Sequence, residues 1–209
     1  MMLPTHALGG MLLALSAAYL APEFATVALV AGLLGGVFPD LDMYAGHRKS
    51  LHYPIYYPVL GFCALVTAGV FPSVPTVAVA VFLLGAALHS VTDAFGGGLE
   101  LRPWEATSDR AVYDHYRGRW IAPSHWIHYD GSPGDLVLSI LLAVPLLVTL
   151  DGLFHPAVIV ILAVAVVYTA LRRRLSRLAA VLVHDTLKPR LPDHLLSYVP
   201  ARYRDSEPK

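Results

Sequence analysis

Six apolar stretches set the rhythm of the chain. They cover residues 3–20, 24–38, 53–71, 74–95, 136–150 and 156–171, and polar or turn-forming residues separate them. A membrane-spanning helix needs about 20 apolar residues, with a lower range near 17. The second, fifth and sixth stretches are short by that measure and must borrow from their flanks, stand upright or be shielded by neighbours. The pattern predicts an all-α, polytopic membrane helical bundle of about six spans, with five as the alternative. Ala21-Pro22, Phe71-Pro72 and His155-Pro156 read as tight turns between spans. The first stretch lacks a basic leader and carries His6 and the Gly9-Gly10 pair, so it reads as a retained helix rather than a cleaved signal.

Composition strengthens this picture. Of 209 residues, 56% are hydrophobic and 14% charged, against about 25% charged in a soluble domain. The formal net charge of zero gives no sign of a nucleic-acid partner. Cys63, the one cysteine, excludes disulfides within this sequence and cysteine-based zinc sites, so any metal must be held by His, Asp or Glu. The distribution of basic residues sets the expected orientation. The connections at 21–23, 72–73 and 151–155 contain no Lys or Arg. All 15 basic residues fall in the other connections and the tail. By the positive-inside rule both termini are expected in the cytoplasm, for a multi-pass protein of the cell membrane.

Two regions stand apart. Residues 96–134 form a long polar connection rich in Trp, Tyr, His and Arg, long enough to be functional or partly structured. His115, His125, His128 and Asp130 within it read as a second metal group or a lid, with an interfacial segment preferred, since Trp and Tyr favour the headgroup layer. The expected organisation is a membrane-embedded domain over 1–171 and a basic tail over 172–209. The tail is either an interfacial helix or an extension of the sixth span.

The candidate chemistry clusters at three points on the basic side. His6 begins the first span, Asp40, Asp42, His47 and His52 follow the second, and His89 and Asp93 close the fourth. Helices that pack together bring these residues to one depth. His89 and Asp93 stand at i and i+4, on one helix face. His89 lies within apolar sequence, where an ionisable group usually faces a cavity or partner. Pro39 disfavours helix at Phe38, so the chain is expected to turn there. The Asp40–Asp42 pair repels itself unless protonated or bound to a cation. His47 and His52 add imidazoles, and Arg48 offers a fork for a phosphate or carboxylate.

Thr5-His6 with Gly9-Gly10, GGVFPDLD at 35–42, HRKSLH at 47–52 and LGAALHSVTD at 84–93, followed by a glycine-rich turn, occur in that order. Together they resemble the YdjM-type family of inner-membrane metal-dependent hydrolases, also described as LexA-binding. The resemblance covers roughly residues 1–105. It implies the metal ligands His6, Asp40, Asp42, His52, His89 and Asp93, with His47 and Arg48 beside the pocket.

The expected function is an integral membrane hydrolase holding one or two divalent ions. Zinc is foremost, with manganese, iron or magnesium as alternatives. Asp42, His47 and Arg48 are the candidate catalytic residues. The expected substrate is an ester or phosphoester of a lipid or other amphiphile, and membrane lipid is the expected partner. Two rivals predict different features. A transporter needs polar groups through the whole depth of the bundle, and a metal-stabilised scaffold needs a saturated ligand shell.

Overall fold

The computed structural model of the protein describes residues 1–196 and 198–204, so the end of the expected basic tail, 205–209, lies outside the described residues. Each apolar stretch forms one helix: α1 Leu3–Leu20, α2 Ala25–Val37, α3 Tyr56–Val70, α4 Val74–Thr92, α5 Pro133–Thr149 and α6 Phe154–Val181. The starts follow local chemistry. Proline occupies the first turn of α1, α4 and α5, where the missing N–H costs nothing. Ser73 and Thr76 form a reciprocal cap on α4, and Ser132 accepts the Asp135 N–H at the start of α5.

Four helical segments are long and apolar enough to cross a membrane: Leu3–Leu20, Pro22–Tyr44, Val74–Phe95 and Phe154–Leu187. Tyr56–Val70 and Pro133–Thr149 are apolar but shorter. Phe62, Leu65, Val148 and Val160 are among many large apolar side chains exposed on the bundle's outside. So broad an apolar exterior fits a lipid environment.

α1 is the hub, packing on α2, α4, α5 and α6. Leu8, Met11 and Ala14 of α1 meet Ala28 and Leu29 of α2, Val81 of α4, Ala143 and Leu146 of α5 and Val158 of α6 in one core. Glycines let the backbones of α1, α2 and α4 approach closely. A Cβ at Gly10 would overlap the Gly32 carbonyl, one at Gly36 the His6 carbonyl, and one at Gly35 the Phe82 carbonyl. Small residues one turn apart are a recurrent means of such packing between membrane helices.

After α2 the chain does not turn at Pro39 as expected. Phe38 keeps helical dihedrals (φ −53°, ψ −44°), and residues Phe38–Tyr44 tighten into a 3₁₀ helix. The expected long connection carries a small hairpin, β1 Val112–Asp114 paired antiparallel with β2 Arg119–Ile121. Asp114 accepts the N–H groups of Tyr116 (2.9 Å) and Arg117 (3.1 Å), and Gly118 takes the left-handed turn position (φ +65°). The connection is stitched back onto the bundle through Ser124 N to Ala94 O, His125 N to Gly96 O and Ile127 N to Phe95 O. Asp130 receives Arg172 through both Nε (2.9 Å) and Nη2 (3.0 Å), and the Tyr168 hydroxyl as well. α6 continues without a break past Arg172-Arg173-Arg174 to Val181, so this part of the basic segment extends the sixth helix.

Gly32→Val places a branched side chain against the Gly10 carbonyl and Ala14 Cβ. It should lower stability in detergent by about 1–3 kcal/mol, the usual cost of overpacking. Gly69→Val, where nothing lies within 4 Å, should stay within about 0.5 kcal/mol of wild type. Thermal unfolding of the two variants side by side checks this.

Candidate metal centre

The close approach of α1, α2 and α4 gathers four side chains from three points in the sequence. Asp40 comes from the 3₁₀ helix, His52 from the following loop, His89 from the last turn of α4 and Asp93 from the position that caps it. His52 Nε2 lies 3.2 Å from His89 Nε2, 3.2 Å from Asp93 Oδ2 and 3.7 Å from Asp40 Oδ1. His89 Nε2 lies 3.4 Å from Asp40 Oδ1 and 3.5 Å from Asp93 Oδ2. A regular tetrahedron with metal–ligand bonds of about 2.0–2.1 Å has edges of about 3.3–3.4 Å. The five distances bracket that value.

Hydrogen bonding on the far side of each ring fixes what the inner atoms offer. His89 Nδ1 lies 2.6 Å from the Gly36 carbonyl, which can only accept, so Nδ1 carries the proton. His52 Nδ1 lies 3.0 Å from Asp42 Oδ2. That oxygen also accepts the Leu51 N–H at 3.0 Å, which marks Asp42 as an ionised acceptor and His52 Nδ1 as a donor. In the neutral imidazoles both Nε2 atoms therefore carry lone pairs, and these face each other. Asp93 Oδ2, also at this point, is buried without a hydrogen-bond donor among the described residues. One shared proton would answer one of these contacts. A cation at the centre answers all of them, and a set of two nitrogens and two oxygens suits zinc, iron or manganese.

The remaining candidates stand around the tetrad. The sequence reading placed Asp42 among the ligands, but the structure sets it one step back. In a 3₁₀ helix successive residues are rotated by about 120°, so Asp40 and Asp42 diverge. Asp42 takes His47 Nδ1 (3.0 Å) and Arg48 N (3.3 Å) on Oδ1, and Leu51 N and His52 Nδ1 on Oδ2. Both oxygens are committed to folding residues 47–52 around one buried carboxylate. His6 also stands outside the tetrad. Its ring stacks on His89 at 3.6 Å, and its Nε2 lies 3.1 Å from Asp93 Oδ1, the oxygen turned away from the centre. The Met1 amino group reaches the same oxygen at 2.8 Å.

Arg48 is buried beside the site. Its Nη1 donates to Gly97 O at 2.7 Å, while its Nε lies 3.4 Å from Asp93 Oδ2 and makes no hydrogen bond among the described residues. Its backbone is left-handed (φ +59°), an uncommon conformation outside glycine that recurs at functional sites. The hairpin secures it, since Tyr113 N donates to Arg48 O at 2.9 Å and His115 Nε2 to Lys49 O at 2.7 Å. His47 lies near the surface of the site. Burial lowers its pKa from the ordinary value, against the opposite pull of Asp42, so the ring is neutral at pH 7.

His115, His125 and His128 form no second metal group among the described residues. Asp130 is committed to Arg172, with Trp126 exposed and stacked on Phe95. His155 contacts the Leu150 carbonyl, between α5 and α6. Sequence reasoning passed over Asp135, which is fully buried and accepts Thr5 Oγ1 (2.6 Å), Met2 N (2.7 Å) and Gly131 N (3.0 Å), tying α5 to the start of α1. The signal was present in Ser132-Pro-Gly-Asp135, an S-x-x-D cap ahead of an apolar run.

A cavity of about 410 Å³ reaches the site, with Asp40, His47 and Arg48 in its wall. A second, of about 760 Å³, lies against the polar connection and shares Met43, His47 and Arg202 with the first.

A helical protein with an apolar exterior and a buried His/Asp tetrad fits the class of membrane metalloproteins. Comparison of the chain with protein-family models, curated proteins and solved structures finds no match to any of the three.

His89→Ala should abolish tight metal binding in detergent-purified protein. Asp42→Asn, which keeps the shape but loses the charge that orients His52, should weaken it by roughly 10–100-fold, as for other residues behind metal ligands. His155→Ala should bind as wild type. Metal analysis after dialysis against a graded chelator series checks all three.

Proposed function

We propose that the protein is an integral membrane metal-dependent hydrolase of the YdjM type. In this reading six helices span the membrane and the termini and metal centre face the cytoplasm. The substrate is an ester or phosphoester of a lipid or other amphiphile. The reading rests on one observation above the others: two imidazole nitrogens and two carboxylate oxygens gathered within 4.8 Å of one another, buried on three corners and meeting a ligand-sized cavity at the fourth. His52, His89 and Asp93 are buried almost completely, while the Asp40 side chain is 14% exposed and lines the cavity. Zinc is the first candidate for the ion, which when bound would acidify a water molecule and polarise the scissile bond.

The chain's own residues supply the rest. His47 commits its Nδ1 proton to Asp42, which leaves the Nε2 lone pair to take a proton from water. The water oxygen attacks phosphorus or the ester carbon, the bond to the alcohol oxygen breaks, and the proton passes from His47 to the leaving alcohol. Arg48, charged and held by Gly97, faces the anionic group as negative charge builds on it.

A non-catalytic scaffold has one observation in its favour, since four protein ligands can close a zinc shell. The two readings differ in what happens on chelation. For the hydrolase, stripped protein loses turnover of phosphodiester, phosphomonoester or carboxylic ester amphiphiles, and added zinc restores it. His47→Gln retains metal and loses roughly 10²–10⁴-fold in kcat. For the scaffold, chelation lowers the unfolding temperature and no substrate in the panel turns over in either state. Wild-type protein without bound metal would overturn both.

A further inference from the structure

We infer that the occupant of the smaller cavity is an anionic phospholipid that enters sideways from the bilayer, between α2 and α6. This rests on the hydrolase reading for its purpose, but the groove itself is argued from packing. α2 packs on α1 and α4, and α6 packs on α1 and α5, while α2 and α6 share no substantial interface. The gap between them, floored by the start of α1, is the cavity of about 410 Å³, within the range of about 300–1,000 Å³ usual for ligand sites.

Its walls change character along their length. On α6, Val160, Ile161, Val164 and Tyr168 follow helical spacing on one face. Val160 and Val164 are each more than half exposed, and the four residues span about 12 Å of helix. On the opposite wall, Leu33 and Val37 of α2 lie one turn apart, and Asp40 continues their line into the tetrad. An apolar trough open to the side thus ends at a metal centre.

The charge at that end selects the headgroup. Arg48 and Arg202 line it, and the Nε of each is buried without a hydrogen-bond partner among the described residues, with that of Arg48 3.4 Å from Asp93 Oδ2. The acids present are occupied, Asp40 by the tetrad and Asp130 by Arg172 and Tyr168. Guanidinium groups that line a cavity beside a cation site fit the oxygens of a phosphodiester. A water-soluble phosphoester has a different route, through the cavity of about 760 Å³ whose wall includes the charged Glu100, Asp109 and Arg110. The two routes separate by experiment.

The test measures binding to zinc-loaded protein in detergent of two probes with the same headgroup: a fluorescent phosphatidylglycerol and glycerophosphoglycerol, which lacks the acyl chains. Metal content is measured on every sample. Wild type should bind the lipid at least tenfold more tightly than the water-soluble probe. Val160→Trp with Val164→Trp, at exposed positions that leave the core intact, should erase most of that preference while metal content stays constant. Arg48→Met should weaken both probes. A phosphatidylglycerol carrying a photoreactive diazirine in its acyl chain should crosslink to α2 and α6. Equal affinity for the two probes, an undiminished preference in the double Trp variant, or crosslinks confined to other helices would overturn the inference. So would a dimer that dissociates in the double Trp variant, because a second copy would then cover the groove. Lipid preference in protein that holds no metal would leave the groove standing and refute the hydrolase reading. Metal-loaded, active protein without lipid preference would do the reverse.

Discussion

The site depends on how closely three backbones can approach. Gly10, Gly32, Gly35, Gly36 and Gly85 remove the side chains that would hold α1, α2 and α4 apart. The same contact has a chemical consequence. At the Gly36 position α2 presses against the His6 carbonyl of α1, and the Gly36 carbonyl accepts the Nδ1 proton of His89 from α4. One glycine therefore sets the spacing of three helices and the tautomer of one metal-seeking ring. A helix displaced by one side-chain diameter would lose both, along with the stacking of His6 on His89.

Electrostatics complete what packing begins. Two carboxylates brought together in apolar surroundings pay a desolvation penalty that only good partners repay. Asp93 is held on Oδ1 by His6 and the Met1 amino group, while Oδ2 has the Arg48 guanidinium 3.4 Å away as a countercharge. Asp42 solves the same problem locally, using its four donors to fold residues 47–52 into a tight loop. The hairpin then holds that loop down through Arg48 O and Lys49 O. Nearly every buried charge here is placed to orient another, which is the arrangement metal sites require of the residues behind their ligands.

The six helices and the identity of the gathered residues were legible because both follow short-range rules. Apolar length marks the helices, and an i, i+4 pair at the end of one marks His89 and Asp93. Asp40 and Asp42 were not separable, because their roles depend on whether the chain turns or tightens after Val37. Pro39 argued for a turn, while helical packing carried the chain on into a 3₁₀ segment. The commitment of Asp130 to Arg172, 42 residues away, removes it from the second metal group, the less favoured reading of that segment. No local pattern carries that information, because it depends on where α6 lies. The glycines were visible in the sequence, but which backbone each one admits is a property of the assembled bundle.

The four corners of the tetrad are not equivalent. His52 is braced by Asp42, His89 by Gly36, and Asp93 by His6 and Arg48, all in nearly complete burial. Among the described residues Asp40 has no such brace, and outside the tetrad His47 approaches it at 3.9 Å. It also makes the longest of the five distances, 3.7 Å to His52, and it faces the cavity. Three enclosed residues and one carboxylate on the open side differ from a shell enclosed at every corner. The open corner faces the apolar groove, and His47, paired with Asp42, lies 3.9 Å from it and lines both cavities.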